Sequence, residues 1–162
     1  MVFWDEVFAQ LAPEYPDVKT EKWHVDALAA RFVTCPEAFD VIVASNLFGD
    51  ILTDLGGAIH GGLGISASGN LNPSRRYPSM FEPVHGSAPD IFGQRIANPL
   101  AMVWAGALML EFLGEQTAAQ LIMDGIAKTL QNGSVLTRDL GGSGSTNEAG
   151  DEISANIRLG LR

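Results

Sequence analysis

Asp50 and Asp54 stand four residues apart in Asn46-Leu47-Phe48-Gly49-Asp50-Ile51-Leu52-Thr53-Asp54. On a helix that spacing sets both carboxylates on one strip, beside the apolar face of Leu47, Phe48, Ile51, Leu52 and Leu55. Two hard oxygen donors one turn apart suit Mg²⁺ or Mn²⁺. A solvated acidic face has the same spacing. A second chemical stretch is Phe81-Glu82-Pro83-Val84-His85-Gly86-Ser87-Ala88-Pro89-Asp90, a loop rich in backbone donors with an imidazole, a hydroxyl and two carboxylates. Such a loop can approach a nucleotide closely while an acidic side chain accepts from ribose hydroxyls. It can equally be a plain turn at Pro89-Asp90. It is not a G-x-G-x-x-G fingerprint, and Gly62-Leu63-Gly64 does not complete one. The third stretch runs from Thr137 to Thr146 through Gly141, Gly142 and Gly144. A glycine loop before a helix favours an anion at the helix start, or serves as a linker. His24, His60 and His85 are too scattered for a zinc site. No Gly-x-Ser-x-Gly elbow or Cys/His nucleophile spacing marks a hydrolase.

The elements that must position these groups follow from periodicity. Phe3, Val7, Phe8 and Leu11 recur at helical spacing, giving an amphipathic helix from Met1 without a preceding cap and ending by Pro13 to Pro16. Val18 to His24 reads as an edge strand, and Ala27 to Phe32 as a short helix. Phe39 to Ala44, with Val41-Ile42-Val43, reads as a buried strand. Ser45 or Asn46 then caps the helix that carries the aspartate pair. From Gly56 to Pro99 the glycines and prolines predict a long functional loop. Pro99 opens a helix through Leu113 that is apolar almost all round and so belongs in a core. A helix from about Glu115 to Gln131 ends at Asn132-Gly133, and Thr146 to Leu159 forms the last one. Strands and helices alternate early, so the class is α/β.

Composition narrows the partners. Ten Lys plus Arg against nineteen Asp plus Glu leave a net charge of −9, which opposes binding to nucleic acid or to an anionic membrane surface. At 46% hydrophobic residues the chain can build a core, and its 162 residues suit about one domain. The single cysteine, Cys35, excludes an internal disulfide and fits a reducing compartment. The apolar run Leu100 to Leu110 is far short of the roughly 20 residues of a membrane span. With no basic, then apolar, N-terminal segment, no signal peptide is expected. The expected location is cytoplasmic.

Taken in order, Asn46 to Asp54, Phe81 to Gly93, Ile96-Ala97-Asn98-Pro99 and Asp139-Leu140-Gly141-Gly142 resemble the metal-dependent β-decarboxylating dehydrogenases. That family includes isocitrate, isopropylmalate, tartrate and D-malate dehydrogenases. Gly69-Asn70-Leu71-Asn72-Pro73, leading through Pro78-Ser79 to Phe81-Glu82-Pro83, is similar to the tartrate/D-malate branch, with isopropylmalate dehydrogenases next. The resemblance implies the C-terminal half of the two-domain isocitrate/isopropylmalate dehydrogenase-like α/β fold. Residues 1–63 would form the rear part of the smaller, dimer-forming domain, and 64–162 the C-terminal part of the larger, cofactor-side domain. It implies that Asp50 and Asp54 hold Mg²⁺ or Mn²⁺ with Asp26 from the partner subunit of a homodimer. His85, Gly86, Ser87, Ala88, Asp90 and Asn98 would line the adenosine pocket of NAD, Glu82 would sit beside the nicotinamide ribose, and Asp139 would reach the adenine end. Asp90 would accept from free ribose hydroxyls and repel a 2′-phosphate, favouring NAD over NADP.

The implied activity is oxidation of a 2-hydroxy acid of the tartrate, D-malate or 3-isopropylmalate class, with NAD and a divalent metal and with loss of the β-carboxylate as CO₂. The resemblance covers the family's C-terminal half only. The family's catalytic lysine and tyrosine lie upstream of the matching segment, and Lys19 and Lys22 do not stand in the lysine's motif. No catalytic residue is therefore assigned here, and the chain is expected to be a truncated form, inactive by itself. A non-catalytic metal- or nucleotide-binding or dimerisation module, or an inert folded remnant, are the other readings.

Overall fold

The computed structural model describes Val2–Leu161, in two compact units, 1–42 and 43–162. In the first, helix α1 (Val2–Leu11) gives way at Pro13 to a 3₁₀ turn over Ala12–Glu14, where proline removes a helix donor. Met1, the expected helix start, lies outside the described residues. Helix α2 (Val25–Thr34) buries Leu28. Beside it Phe39 meets Trp23 and Phe32 edge-on, with ring centroids 5.9 and 6.1 Å apart, and the Arg31 guanidinium lies 5.7 Å from the Trp23 ring. No residue of α1 is buried.

The second unit carries the order α3 (Asn46–Ile59), β1 (Ala67–Asn70), β2 (Met80–Pro83), α4 (Leu100–Leu113), α5 (Gln116–Asn132) and α6 (Thr146–Gly160). Leu100, Ile126 and Ile153, one from each of α4, α5 and α6, form the buried centre, with Trp104, Ile122 and Ile157 packed against it. Helices α5 and α6 approach closely because Gly125 has no side chain: a Cβ there would lie 2.5 Å from Ile157 Cγ1. Strands β1 and β2 pair antiparallel from Ala67↔Pro83 to Asn70↔Met80 and pack on α4, where Phe81 and Phe112 lie 5.8 Å apart. The Arg75 guanidinium donates to the Phe112 carbonyl at 2.7 Å, covering an open C-terminal acceptor of α4. Gly114 ends α4 and Gly133 ends α5, both left-handed, as glycine permits. No helix among the described residues is long and apolar enough to cross a membrane.

The architecture is helix-rich α/β, and four expectations change in detail. Val18–His24 is irregular rather than a strand. Phe39–Ala44 forms no ladder, and Val41 and Val43 are 85% and 81% exposed. A β-branched run fits a pleated surface but needs a neighbouring strand, and among the described residues the one sheet is β1-β2. The expected loop over Gly56–Pro99 instead contains that hairpin. Its first strand, Ala-Ser-Gly-Asn, has no strand-forming residue and owes its form to pairing and to α4. Finally, α4 is buried on one side through Leu100, Ala101, Ala105 and Ala107, while Met102 and Leu113 are over half exposed. A division by compactness at 42/43 is a separate matter from the family division expected at 63/64.

Candidate functional site

Helix α3 starts after Ser45, which takes the N-cap position without a side-chain hydrogen bond to the helix. Leu52 faces inward and Gly57 packs against Leu63 and Ser66. This fixes the rotation of the helix, and Asp50 and Asp54 both come out exposed. Neither carboxylate has a hydrogen-bond or ion-pair partner among the described residues. Asp26 lies exposed on α2 in the first unit, accepting from the Ala27 backbone N–H at 2.8 Å. No group of three or more His, Cys, Asp or Glu among the described residues is placed to hold a metal. The α3 pair fits a hard divalent cation as two oxygen donors of a larger set, with the rest from water, substrate or another chain.

At the end of β2, Glu82 is exposed on the strand, and the Val84 N–H continues the pairing by donating to Ser66 O at 3.0 Å. A tight turn follows. Gly86 (φ 68°) and Ala88 (φ 40°) are both left-handed, which costs a residue with a Cβ roughly 1–2 kcal/mol. Strain of this kind gathers at functional loops. His85 Nδ1 donates to the Gly86 carbonyl at 2.7 Å. A carbonyl can only accept, so this bond places a proton on Nδ1, and Nε2 has no hydrogen-bond partner among the described residues. Asp90 sits in a 3₁₀ turn over Pro89–Ile91, its carboxylate exposed and its carbonyl accepting from Gln94 Nε2 at 2.8 Å. His85, Gly86, Ser87 and Asp90 are thus open to solvent and Ala88 half-buried.

Asn98 and Asp139 come together although 41 residues separate them. Helices α4 and α5 have 14 and 17 residues, or roughly 21 and 25 Å at about 1.5 Å per residue. A short turn joins them, so the chain returns close to where α4 began. Asn98 is buried, and its Nδ2 donates to Asp139 Oδ2 at 2.8 Å while its Oδ1 accepts from the Leu100 N–H at 2.9 Å. Asp139 Oδ1 accepts from the Thr137 hydroxyl at 2.6 Å. Gly64 fits against both: a Cβ there would strike Asp139 Oδ2 and stand 3.0 Å from Asn98 Cβ. Thr146 adds two ties, its N–H to Arg95 O at 2.9 Å and its hydroxyl to Ala97 O at 2.6 Å.

The third glycine loop is a tight packing turn. A Cβ on Gly142 would strike the Leu136 carbonyl, and Gly142 and Gly144 donate to Thr137 O and Leu136 O at 3.0 and 2.8 Å. The start of α6 is already served by its own side chains. The Glu148 carboxylate accepts from the Ser145 N–H and hydroxyl, both at 2.8 Å, and the Ser145 hydroxyl accepts from the Glu148 N–H. The capping box takes the Ser145 and Glu148 N–H groups, the Thr146 N–H goes to Arg95 O, and the Glu148 carboxylate sets a negative charge where an external anion would sit, so the anion reading of that helix start gives way to the linker reading. The Ser145 N–H, then its hydroxyl, hold the Glu148 carboxyl below its ordinary range. Sequence reasoning gave no part to Gly64, or to Thr137 beyond its place in the motif. Thr137 two residues before an aspartate was a usable signal, whereas nothing marked Gly64 out from its neighbours.

The 84–90 turn presents an exposed imidazole, hydroxyl and carboxylate, and the Asn98–Asp139 pair an exposed carboxylate held by a buried carboxamide. The isocitrate/isopropylmalate dehydrogenase family model matches residues 1–153. Over 97% of its length the chain is 56% identical to the tartrate dehydrogenase/decarboxylase of Pseudomonas putida, covering 44% of that protein. Over 94% it is 52% identical to the decarboxylating D-malate dehydrogenase of Escherichia coli, again covering 44%. The crystal structure of an isocitrate dehydrogenase from Methylococcus capsulatus superposes with a TM-score of 0.87 at 41% identity, over 94% of this chain and 45% of that one. The chain therefore spans less than half the length of the curated relatives it matches.

Proposed function

This chain belongs to the isocitrate/isopropylmalate dehydrogenase family, and from that premise we propose that it supplies the cofactor side and the metal carboxylates of an NAD-dependent decarboxylating dehydrogenase. The substrate class is a 2-hydroxy acid of the tartrate or D-malate type, in keeping with the relatives' names, with 3-isopropylmalate next. The observation that carries the reading is the joining of Asn98 to Asp139, which unites two motifs within the unit that also carries the exposed carboxylate pair.

In this reading Asp50 and Asp54 hold Mg²⁺ or Mn²⁺, with Asp26 of a second copy as a third ligand in a homodimer. A bound divalent cation would supply Lewis acidity to the substrate hydroxyl and to the charge that develops as CO₂ leaves, while NAD would take up the hydride. The chain's own groups bind and orient. Asp90 and Glu82 accept from ribose hydroxyls, and Asp90 disfavours a 2′-phosphate by like charge. His85, Gly86, Ser87, Ala88 and Asn98 shape the adenosine pocket, and Asp139 bounds its far end. Proton transfer is assigned to the lysine and tyrosine of the family's other half. The division into a smaller domain through 63 and a larger one from 64, and a cytoplasmic location, belong to the same proposal.

A non-catalytic metal- or nucleotide-binding module is the second reading. Its supporting observation is that Asp50 and Asp54, like Asp90, stand exposed, while Lys19 and Lys22 are taken up in surface ion pairs with Glu21 at 2.9 Å and Asp5 at 2.7 Å. Calorimetry with Mn²⁺ tests the metal part: weak binding is expected, lost in the double variant Asp50→Asn, Asp54→Asn. An unchanged isotherm would make the pair a solvated face. Titration with NAD and AMP tests the nucleotide part, and Asp90→Ala should weaken both.

A further inference from the structure

Gly64 and Thr137 have no part in the reading above, yet both touch the group that bounds the adenosine pocket. Asp139 is exposed, and an exposed aspartate ordinarily samples several rotamers. Here one carboxylate oxygen is held by the Thr137 hydroxyl at 2.6 Å and the other by Asn98 Nδ2 at 2.8 Å. Thr137 is itself 1% exposed, so its hydroxyl is anchored by packing and cannot swing away. Asn98 is fixed at its other end by the Leu100 N–H. Gly64 closes the third side, because any side chain would occupy the place of Asp139 Oδ2. Each carboxylate oxygen has two lone pairs, and each spends one on this clamp, leaving the other for a ligand.

We propose that Gly64 and Thr137 are positioning residues that clamp Asp139 and Asn98 in one orientation for an adenosine-containing nucleotide. The proposal rests on the adenosine-pocket reading. Its physical content is preorganisation: two side chains already held need not be ordered when the nucleotide binds. The clamp contributes little to folding, because an exposed carboxylate that loses the hydroxyl can take a water instead.

The test titrates AMP into the 162-residue chain and three variants. Thr137→Val keeps the shape and removes the hydroxyl. Thr137→Ser keeps the hydroxyl. Gly64→Ala places a methyl where Asp139 sits, and the position does not need a left-handed backbone, so the change is steric only. Thr137→Val and Gly64→Ala should each weaken AMP about tenfold, the scale of ordering two side chains. Thr137→Ser should stay within about threefold of the parent, and the melting temperature of Thr137→Val should move little. AMP binding unchanged in Thr137→Val would overturn the proposal. So would Thr137→Ser binding as weakly as Thr137→Val, which would show that the methyl and not the hydroxyl matters. A parent chain that fails to bind AMP would instead sink the adenosine reading, and the clamp is then decided by NMR. The Asn98 Nδ2 proton donated to Asp139 should be displaced from the free-carboxamide shift and protected from solvent exchange, both effects being lost in Thr137→Val and returning in Thr137→Ser. Signals that do not change would overturn it.

Discussion

Among the described residues of 1–42 only Leu28 is buried, while Phe3, Phe8 and Leu11 on α1 stand exposed. In the other unit Leu100, Ile126 and Ile153 meet at the centre of α4, α5 and α6, and Ile153 is 1% exposed. Both regions are made of helices with apolar faces. They differ in where the cover for those faces is encoded. The apolar stripes of α4 to α6 follow one another in sequence and fold onto each other. The stripe on α1 has no counterpart inside its own unit. An amphipathic pattern states that a face needs cover and is silent on which polypeptide supplies it.

The most severe break of this contrast would be catalysis by the 162-residue chain. We expect no measurable NAD reduction with D-malate, tartrate or isopropylmalate. General acid–base groups are typically worth about 10²–10⁴-fold, and orientation across a cleft is worth more. Joining the family's lysine- and tyrosine-bearing half should restore metal-dependent turnover with release of CO₂. Activity of the chain alone would show that its own residues carry the proton transfer assigned to the family's other half.

Stability sharpens the contrast next. Ile153→Ala should cost about 2–5 kcal/mol in urea unfolding, as buried truncations do. Phe8→Ala should cost under about 0.5 kcal/mol in a monomer. A large cost at Phe8 that rises with protein concentration would mean that a second copy covers α1. Sedimentation at micromolar concentration checks this, and dimer formation there is the expected result.

The capping box gives a smaller effect. Ser145→Ala should cost about 1 kcal/mol. Glu148 titrates below its ordinary value of 4.5 when folded. Its contribution is therefore complete above that value and fades as pH falls through the lower folded value. Glu148→Gln should flatten the acid limb of the stability profile, and a limb of unchanged slope would count against the box. A change no larger than that at Phe8 is expected at the exposed Lys22–Asp5 pair, where Lys22→Ala should move stability by less than about 0.5 kcal/mol.

What could be read in advance follows the same line. Helices α4 to α6 were legible to within a residue or two, because Pro99, Gly133 and the run before Thr146 punctuate them and their partners are adjacent. Asp50 and Asp54 were legible as one strip for the same local reason. The β1 strand was not, since Ala67 to Asn70 has no strand preference and takes its form from Met80 to Pro83. Phe39 to Ala44 erred in the opposite sense: the residues favour a strand, but no neighbour pairs with them. The capping box turned an apparent anion site into a filled one, because Glu148 lies inside the helix rather than in the loop. Gly64 was hidden by distance, as its meaning depends on a contact with Asp139 and Asn98 that appears only once α4 and α5 have packed, whereas Thr137 meets Asp139 two residues on and was the half of the clamp open to a local reading.

That dependence has a kinetic side. Bringing two side chains 41 residues apart into contact would, in a flexible chain, mean closing a long loop against its entropy. Here most of the intervening residues belong to two stiff helices joined by a short reversal, so the search reduces to one docking step between neighbours in sequence. Assemblies of local contacts form quickly. The Asn98–Asp139 contact should therefore appear in the same phase as the burial of Ile126, and no slower phase should belong to it. In a stopped-flow refolding experiment, pulse-labelled protection of the Leu100 amide would rise together with the helical signal.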